Sequence, residues 1–246
     1  MITSIGCSGF HYKHWVGDFY PEDLPQKKWF EFYCEHFKTL ELNVTFYRFP
    51  RLPVLKSWYE QSPDNFLFAV KAPRSITHYK KMTGASQMIS DFYLVVENGL
   101  KEKLGCTLWQ FPPNFTFSEE RLSRITGGLD KHIRNVVEFR HESWWKQEVW
   151  DQLAEHRISF CGMSHPDFPD NMVSNTDLLY YRMHGGQQLY ASEYSKQELD
   201  SFANNLKMRA YIEQAFIYFN NDVQGYAVTN AKYLQSALQQ PVQGGK

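Results

Sequence analysis

The sequence predicts an α/β protein built as one (β/α)8 TIM-type barrel spanning residues 1–246. Three observations predict it. Short runs rich in β-branched and aromatic residues alternate with longer amphipathic runs, a pattern that gives parallel strands joined by helices. Eight such units fit into 246 residues, the usual size of a barrel of this type. The glycine signatures that would favour a doubly wound open sheet, G-x-G-x-x-G and G-x-x-x-x-G-K-[ST], do not occur in the chain.

The first strand is Ile2 to Gly6. The segment QKKWFEFYCEHF follows, with Trp29, Phe30, Tyr33 and Phe37 at helical spacing. TLELN (Thr39 to Asn43) is the second strand, and PVLKSWYEQ the second helix, with Pro53 suited to its first turn. FLFAVK (Phe66 to Lys71) is the third strand, and the third helix lies within Gly84 to Leu104. TLWQF (Thr107 to Phe111) is the fourth strand, stopped by Pro112 and Pro113, before a helix over Ser118 to Ile125. NVVEFR is the fifth strand and SWWKQEVWDQLAEH its helix. ISFCG (Ile158 to Gly162) is the sixth strand. MSHPDFPDNMVSNTD then shows no helical period, so the sixth helix is expected to be irregular or missing, with Asp167 and Asp170 in a lid or a surface loop. LYYRMH (Leu179 to His184) is the seventh strand, and SKQE (Ser195 to Glu198) a capping box opening the seventh helix. AFIYFN (Ala215 to Asn220) is the eighth strand, and the last helix covers Tyr226 to Leu238.

Composition sets outer limits. The chain is 43% hydrophobic and 22% charged, ordinary for a globular protein. No run approaches the ~18 apolar residues needed to cross a membrane, and the N-terminus reads as no secretion signal. Cys7, Cys34, Cys106 and Cys161 form no C-x-x-C; three of them fall in apolar runs and read as small core residues, and a reducing cytoplasm fits best. A net charge of −1 argues against a polybasic surface for nucleic acid or membrane, while leaving room for a local basic pocket.

Successive strand residues face opposite sides, so each strand can be phased. The greasier face suits packing on the helices. The other face places Glu41, Asn43, Lys71, Gln110, Glu138, Arg140, Arg182, His184 and Asn220 inside the barrel, toward the C-terminal strand ends where barrel active sites lie. The competing structural explanation is a self-neutralising salt-bridge layer. Counted without regard to pairing, the ring has two acids against three fixed cations and His184. An anionic ligand would balance it, with Gly185 and Gly186 after the seventh strand as further oxyanion donors.

Ordered motifs then add a resemblance. GCSGF with Trp15 and FYP at Phe19 to Pro21, LELNVTFYRFP at Leu40 to Pro50, FAVKAPRSITH at Phe68 to His78 and WQFPP at Trp109 to Pro113 are similar to stretches of the YecE-like family. VEFRHESWW from Val137, YRMHG from Tyr181 and YFNND with Ala227 and Asn230 continue the match. That family is catalogued as a domain of unknown function, number 72 in its series. The resemblance covers essentially the whole chain, departs from the family at Phe10 where tryptophan is commoner, and implies a barrel but no particular activity.

The residues themselves suggest an enzyme acting on a phosphorylated or otherwise anionic small molecule. Glu41, Glu138 and His184 would be catalytic, one glutamate with its pKa raised by burial and the other held ionised. Asn43, Lys71, Gln110, Arg140, Arg182, Gly185, Gly186 and Asn220 would bind the ligand. No cofactor is evident. A divalent metal on Glu41, Glu138, His141 and His184 is conceivable but lacks a spacing motif. The alternatives are a metal-assisted phosphodiesterase on nucleic acid, with Trp15, Tyr20, Phe46 and Tyr47 stacking on bases, a glycosidase using the two carboxylates, and a non-catalytic anion binder. His11 and His14 read as loop packing or substrate contacts.

Overall fold

A computed structural model describes residues 1–240. Eight parallel strands make the sheet: β1 (Ile2–Cys7), β2 (Thr39–Leu42), β3 (Leu67–Lys71), β4 (Leu104–Phe111), β5 (Asn135–Phe139), β6 (Ile158–Ser164), β7 (Leu178–Met183) and β8 (Gln214–Phe219). Hydrogen-bonded neighbours run β1-β8-β7-β6-β5-β4-β3-β2, so the sheet curls until β1 meets β2. That seam is closed by side chains as well as backbone. Ser8 bridges to Glu41, and the Tyr33 hydroxyl accepts from the Cys7 N–H (2.9 Å) and donates to the Thr39 carbonyl (3.0 Å). Gly6 lies so close that a Cβ there would stand 2.3 Å from the Thr39 oxygen. A bare backbone is what lets the two strands approach.

The outer helices are α1 (Trp29–His36), α3 (Leu52–Gln61), α4 (Ser86–Leu100), α5 (Glu119–Gly128), α6 (Gln147–Glu155), α7 (Lys196–Lys207) and α8 (Tyr226–Gln239), with a one-turn α2 (Val44–Tyr47) just after β2. Pro53 sits in the first turn of α3. Ser195 and Glu198 cap α7 reciprocally, as the sequence motif requires. Between β6 and β7 the chain runs through turns and irregular backbone, which is the missing sixth helix. Asn175 takes the place of a strand partner at the start of β6, where pairing with β7 begins only at Cys161. Its Oδ1 accepts from the Phe160 N–H (2.8 Å), and its amide donates to the Ile158 carbonyl (2.9 Å).

Two cores follow from the strand phase. Leu40, Leu42, Phe68, Val70, Trp109, Phe111, Val137, Phe139, Tyr181, Met183, Ile217 and Phe219 face the helices and join one large apolar cluster. Ala69, Cys106, Leu108, Val136, Cys161, Leu178, Tyr180, Phe216 and Tyr218 form a separate cluster inside the barrel. This inner cluster fills the lower barrel, and the polar ends of the same strand faces lie above it. Among the described residues no helix is long and apolar enough to cross a membrane.

Candidate functional site

The upper barrel is organised around Arg182 of β7, which is buried. Its Nη1 donates to Glu138 (2.8 Å) and its Nη2 to Glu41 (2.6 Å). Glu138 also accepts from Arg140 Nε. Glu41 takes two further hydrogen bonds, from Ser8 Oγ (2.7 Å) and Tyr180 Oη (2.6 Å). Burial by itself pushes both carboxyls up. For Glu41 this is outweighed by Arg182, Tyr180 and Ser8, and its pKa falls below the usual range. For Glu138 burial is outweighed by Arg140 and Arg182, and its pKa falls well below that range. Both glutamates are therefore ionised, and the expected proton-bearing carboxylic acid is not found in this pair. Opposite charges within about 4–6 Å favour the charged form, and here they overcome desolvation.

His184 is completely buried. Its Nε2 lies 2.9 Å from Arg140 Nη2, and its Nδ1 3.1 Å from the Asn220 amide. Burial, followed by the repulsion of Arg140 and Arg182, holds its pKa well below the ordinary histidine value. A neutral ring that accepts at Nε2 carries its proton on Nδ1, which calls for the Asn220 carbonyl oxygen on that side.

Above this cluster opens a cavity of about 440 Å3, lined by Tyr12, His14, Asn43, Tyr47, Lys71, Gln110, Arg182, Tyr190, Asn220, Asp222 and Val223. Five predicted binding residues thus share one cavity: Asn43, Lys71, Gln110, Arg182 and Asn220. Glu41, Glu138, Arg140 and His184 lie behind Arg182, joined to it directly or through Glu138. Gly185 and Gly186 are outside the lining. The Gly185 N–H already donates to Tyr194 Oη (2.8 Å), so it has no free donor for an anion.

The charge balance also changes. Two glutamates meet two arginines, and His184 is neutral, so only Lys71 remains unbalanced in the ring. Its Nζ makes no ion pair within 4.0 Å and no hydrogen bond among the described residues. It lies 4.3 Å from the centre of the Phe46 ring. Lys71 is 8% exposed, and burial, then Arg182, lower its pKa to about 7 against the pull of Glu138 and Glu41.

The loops add an element beyond the ring. His14 Nε2 is 3.0 Å from Asp222 Oδ2, and Trp15 Nε1 donates to Asp222 Oδ1 (2.6 Å). This contact ties the loop after β1 to the loop after β8. Asp222 follows the Asn220-Asn221 pair directly, and that adjacency was the only sequence signal for it. Trp15 and Tyr20 are buried, which removes them as base-stacking residues, while Tyr47 remains exposed at the rim. His141 turns its Nδ1 to Ser143 and caps a short turn there. Among the described residues no three His, Cys, Asp or Glu side chains group as a metal site would need.

Fold and site together define a (β/α)8 barrel protein with a polar cavity at its C-terminal mouth. The profile of the family described as "Protein of unknown function DUF72" matches residues 4–245, and the chain belongs to that family. It is similar to UPF0759 protein YunF of Bacillus subtilis, 25% identical over 89% of both chains. It is also similar to UPF0759 protein YecE of Escherichia coli, 30% identical over 54% of this chain and 49% of that one. Among solved structures, a DUF72 family protein from Thermotoga maritima superposes with a TM-score of 0.88 at 27% identity, over 98% of this chain and 100% of the other. A D-psicose 3-epimerase from Clostridium cellulolyticum has a TM-score of 0.56 at 8% identity over 97% of each chain, a likeness of fold alone.

Proposed function

We propose that the barrel mouth is the active site of an enzyme whose substrate is a small polar molecule bearing an anionic group, phosphate or carboxylate. The observation that carries this reading is Lys71, a largely buried lysine that lines the cavity and whose amine has no ion pair within 4.0 Å among the described residues. Burying a cation without a partner is costly, and a bound anion removes that cost. Asn43, Gln110 and Asn220 add neutral polar groups to the same wall, and Arg182 adds an Nε that is buried without a partner. In this reading Glu41 and Glu138 fix Arg182 and shape the field, and proton transfer falls to other groups. The glycosidase alternative needs one carboxyl to carry a proton, which the two low pKa values disfavour. The nucleic-acid alternative loses two of its stacking residues with Trp15 and Tyr20.

Inorganic phosphate tests the reading. A ligand that binds the native state raises the melting temperature. A phosphate titration is expected to do so for the wild type and not for Lys71→Met. No shift in the wild type, or an equal shift in the variant, would overturn it.

A further inference from the structure

We propose that the small anionic ligand carries a ketone or aldehyde carbonyl and that Lys71 is the nucleophile that condenses with it to a protonated imine. This rests on the reading of the mouth as a ligand pocket and names the substrate class that the pocket takes.

Lys71 is the last residue of β3, so the strand fixes its backbone while the side chain faces the cavity. Lysine can reach a buried position with its hydrogen bonds satisfied, and this chain shows how. Lys103, 4% exposed, donates from Nζ to the Tyr59 and Ser62 carbonyls (2.7 Å each) and to Ser62 Oγ (3.1 Å). Lys71 has no such acceptor among the described residues. An amine that must attack carbon needs an unshared electron pair, and hydrogen-bond acceptors that hold it as ammonium would work against that. Burial and Arg182 act in the same direction, lowering Lys71 to about 7, so a large fraction is unprotonated near neutrality.

The step balances without an added oxidant or reductant. The Lys71 nitrogen pair forms the N–C bond, and the carbonyl π pair moves to oxygen, which takes the proton lost by the amine. The resulting hydroxyl leaves as water once protonated, and the nitrogen pair forms C=N. The product is a cation in the place the ammonium held, still over the Phe46 ring and beside the ligand's own anionic group. His14, held by Asp222, lines the same cavity and would pass the protons.

The test uses the full chain at neutral pH with sodium cyanoborohydride and either pyruvate or glycolaldehyde phosphate, followed by peptide mapping by mass spectrometry. Lys71 is expected to be alkylated at least about tenfold faster than the exposed Lys13 and Lys27. Neutral acetone should label it more slowly than pyruvate. Lys71→Arg keeps a cation, so it should retain the phosphate-induced melting shift while labelling at the other lysines stays unchanged. If neither anionic carbonyl labels Lys71 faster than Lys13 and Lys27, the imine is overturned. A phosphate shift that persists in that case leaves the anion pocket standing. Preferential labelling without any phosphate shift would keep the imine and overturn the anion reading.

Discussion

The two ends of the barrel treat a buried lysine in opposite ways. At the bottom, Lys103 precedes β4 and spends its Nζ on three oxygens of Tyr59 and Ser62. At the mouth, Lys71 ends β3 and meets an aromatic face and a cavity. Both ends had the same problem, since a buried polar group without a partner costs stability. The lower end solves it internally. The mouth solves it for Glu41 and Glu138, and leaves Arg182 Nε without a partner and Lys71 without an ion pair among the described residues. Groups left without partners beside a paired ion cluster mark the place where something from outside the chain completes the structure.

The largest expected effect comes from breaking the satisfied part of the mouth. Arg182→Leu would leave Glu41 without its cationic partner and remove one of the two partners of Glu138. Removing one member of a buried pair costs roughly 3–5 kcal/mol. At ~2–4 °C per kcal/mol for a chain of this size, the melting temperature should fall by roughly ten degrees or more. Leu108→Met in the inner apolar cluster, a volume-conserving change, should cost less than about 1.5 kcal/mol. If thermal scans give the two variants equal losses, the upper ion cluster is not what distinguishes the mouth.

Next come the two lysines themselves. Lys103→Met strands the buried Ser62 carbonyl, while the Tyr59 carbonyl keeps Ser62 Oγ, and is expected to lose about 1–3 kcal/mol in denaturant melts. Lys71→Met should lose little at neutral pH and can gain, since it replaces an uncompensated amine with an apolar chain. The pH dependence sharpens this. A folded-state pKa of about 7 means the native protein releases the Lys71 proton well before the unfolded chain does. Between pH 7 and the ordinary lysine range the unfolded state binds more protons, so stability rises with pH. The penalty is fully present below pH 7. Wild type should therefore gain on Lys71→Met as pH increases from 7 to 10. A parallel pair of curves would show that Lys71 is not depressed.

How much of this was legible in the sequence follows from which contacts are local. Glu138 and Arg140 are two residues apart on one strand, so period-2 alternation alone put them on one face. The same rule phased Lys71, Arg182 and Asn220. The missing helix after β6 was visible because MSHPDFPDNMVSNTD has no apolar period. What alternation cannot give is pairing across the barrel. Arg182 binds Glu41 across 141 positions, and that contact decides that the glutamates are ionised. Trp15 reaches Asp222 across 207 positions. The Gly185 N–H was read as a free donor because Tyr194, nine residues on, gives no local sign that it folds back.

The finest contrast compares two neighbouring tyrosines of the barrel interior. Tyr180 and Tyr218 pack with ring centroids 5.3 Å apart, and both are completely buried. Their hydroxyls go to different layers. Tyr180 Oη donates to Glu41 Oε2 (2.6 Å), whereas Tyr218 Oη shares a hydrogen bond with Thr39 Oγ1 (2.5 Å). Tyr180→Phe removes a bond to a charged oxygen, worth about 1.5–3 kcal/mol, and Glu41 Oε2 keeps no other partner among the described residues. Tyr218→Phe removes a neutral bond, worth about 0.5–1.5 kcal/mol, and Thr39 Oγ1 still donates to the Leu67 carbonyl (2.8 Å). The first change should also let the Glu41 pKa rise, because that hydrogen bond favours the ionised carboxylate. A carboxylate whose folded pKa is depressed contributes stability that is present above its unfolded pKa and lost as pH falls through the folded one. Tyr180→Phe should therefore lose more than Tyr218→Phe at pH 7, with the gap narrowing in acid as Glu41 takes up its proton. A gap that stayed constant down to acid unfolding would mean that the Tyr180 bond is worth no more for meeting a charge, and the electrical contrast between the two layers of the barrel would fall with it.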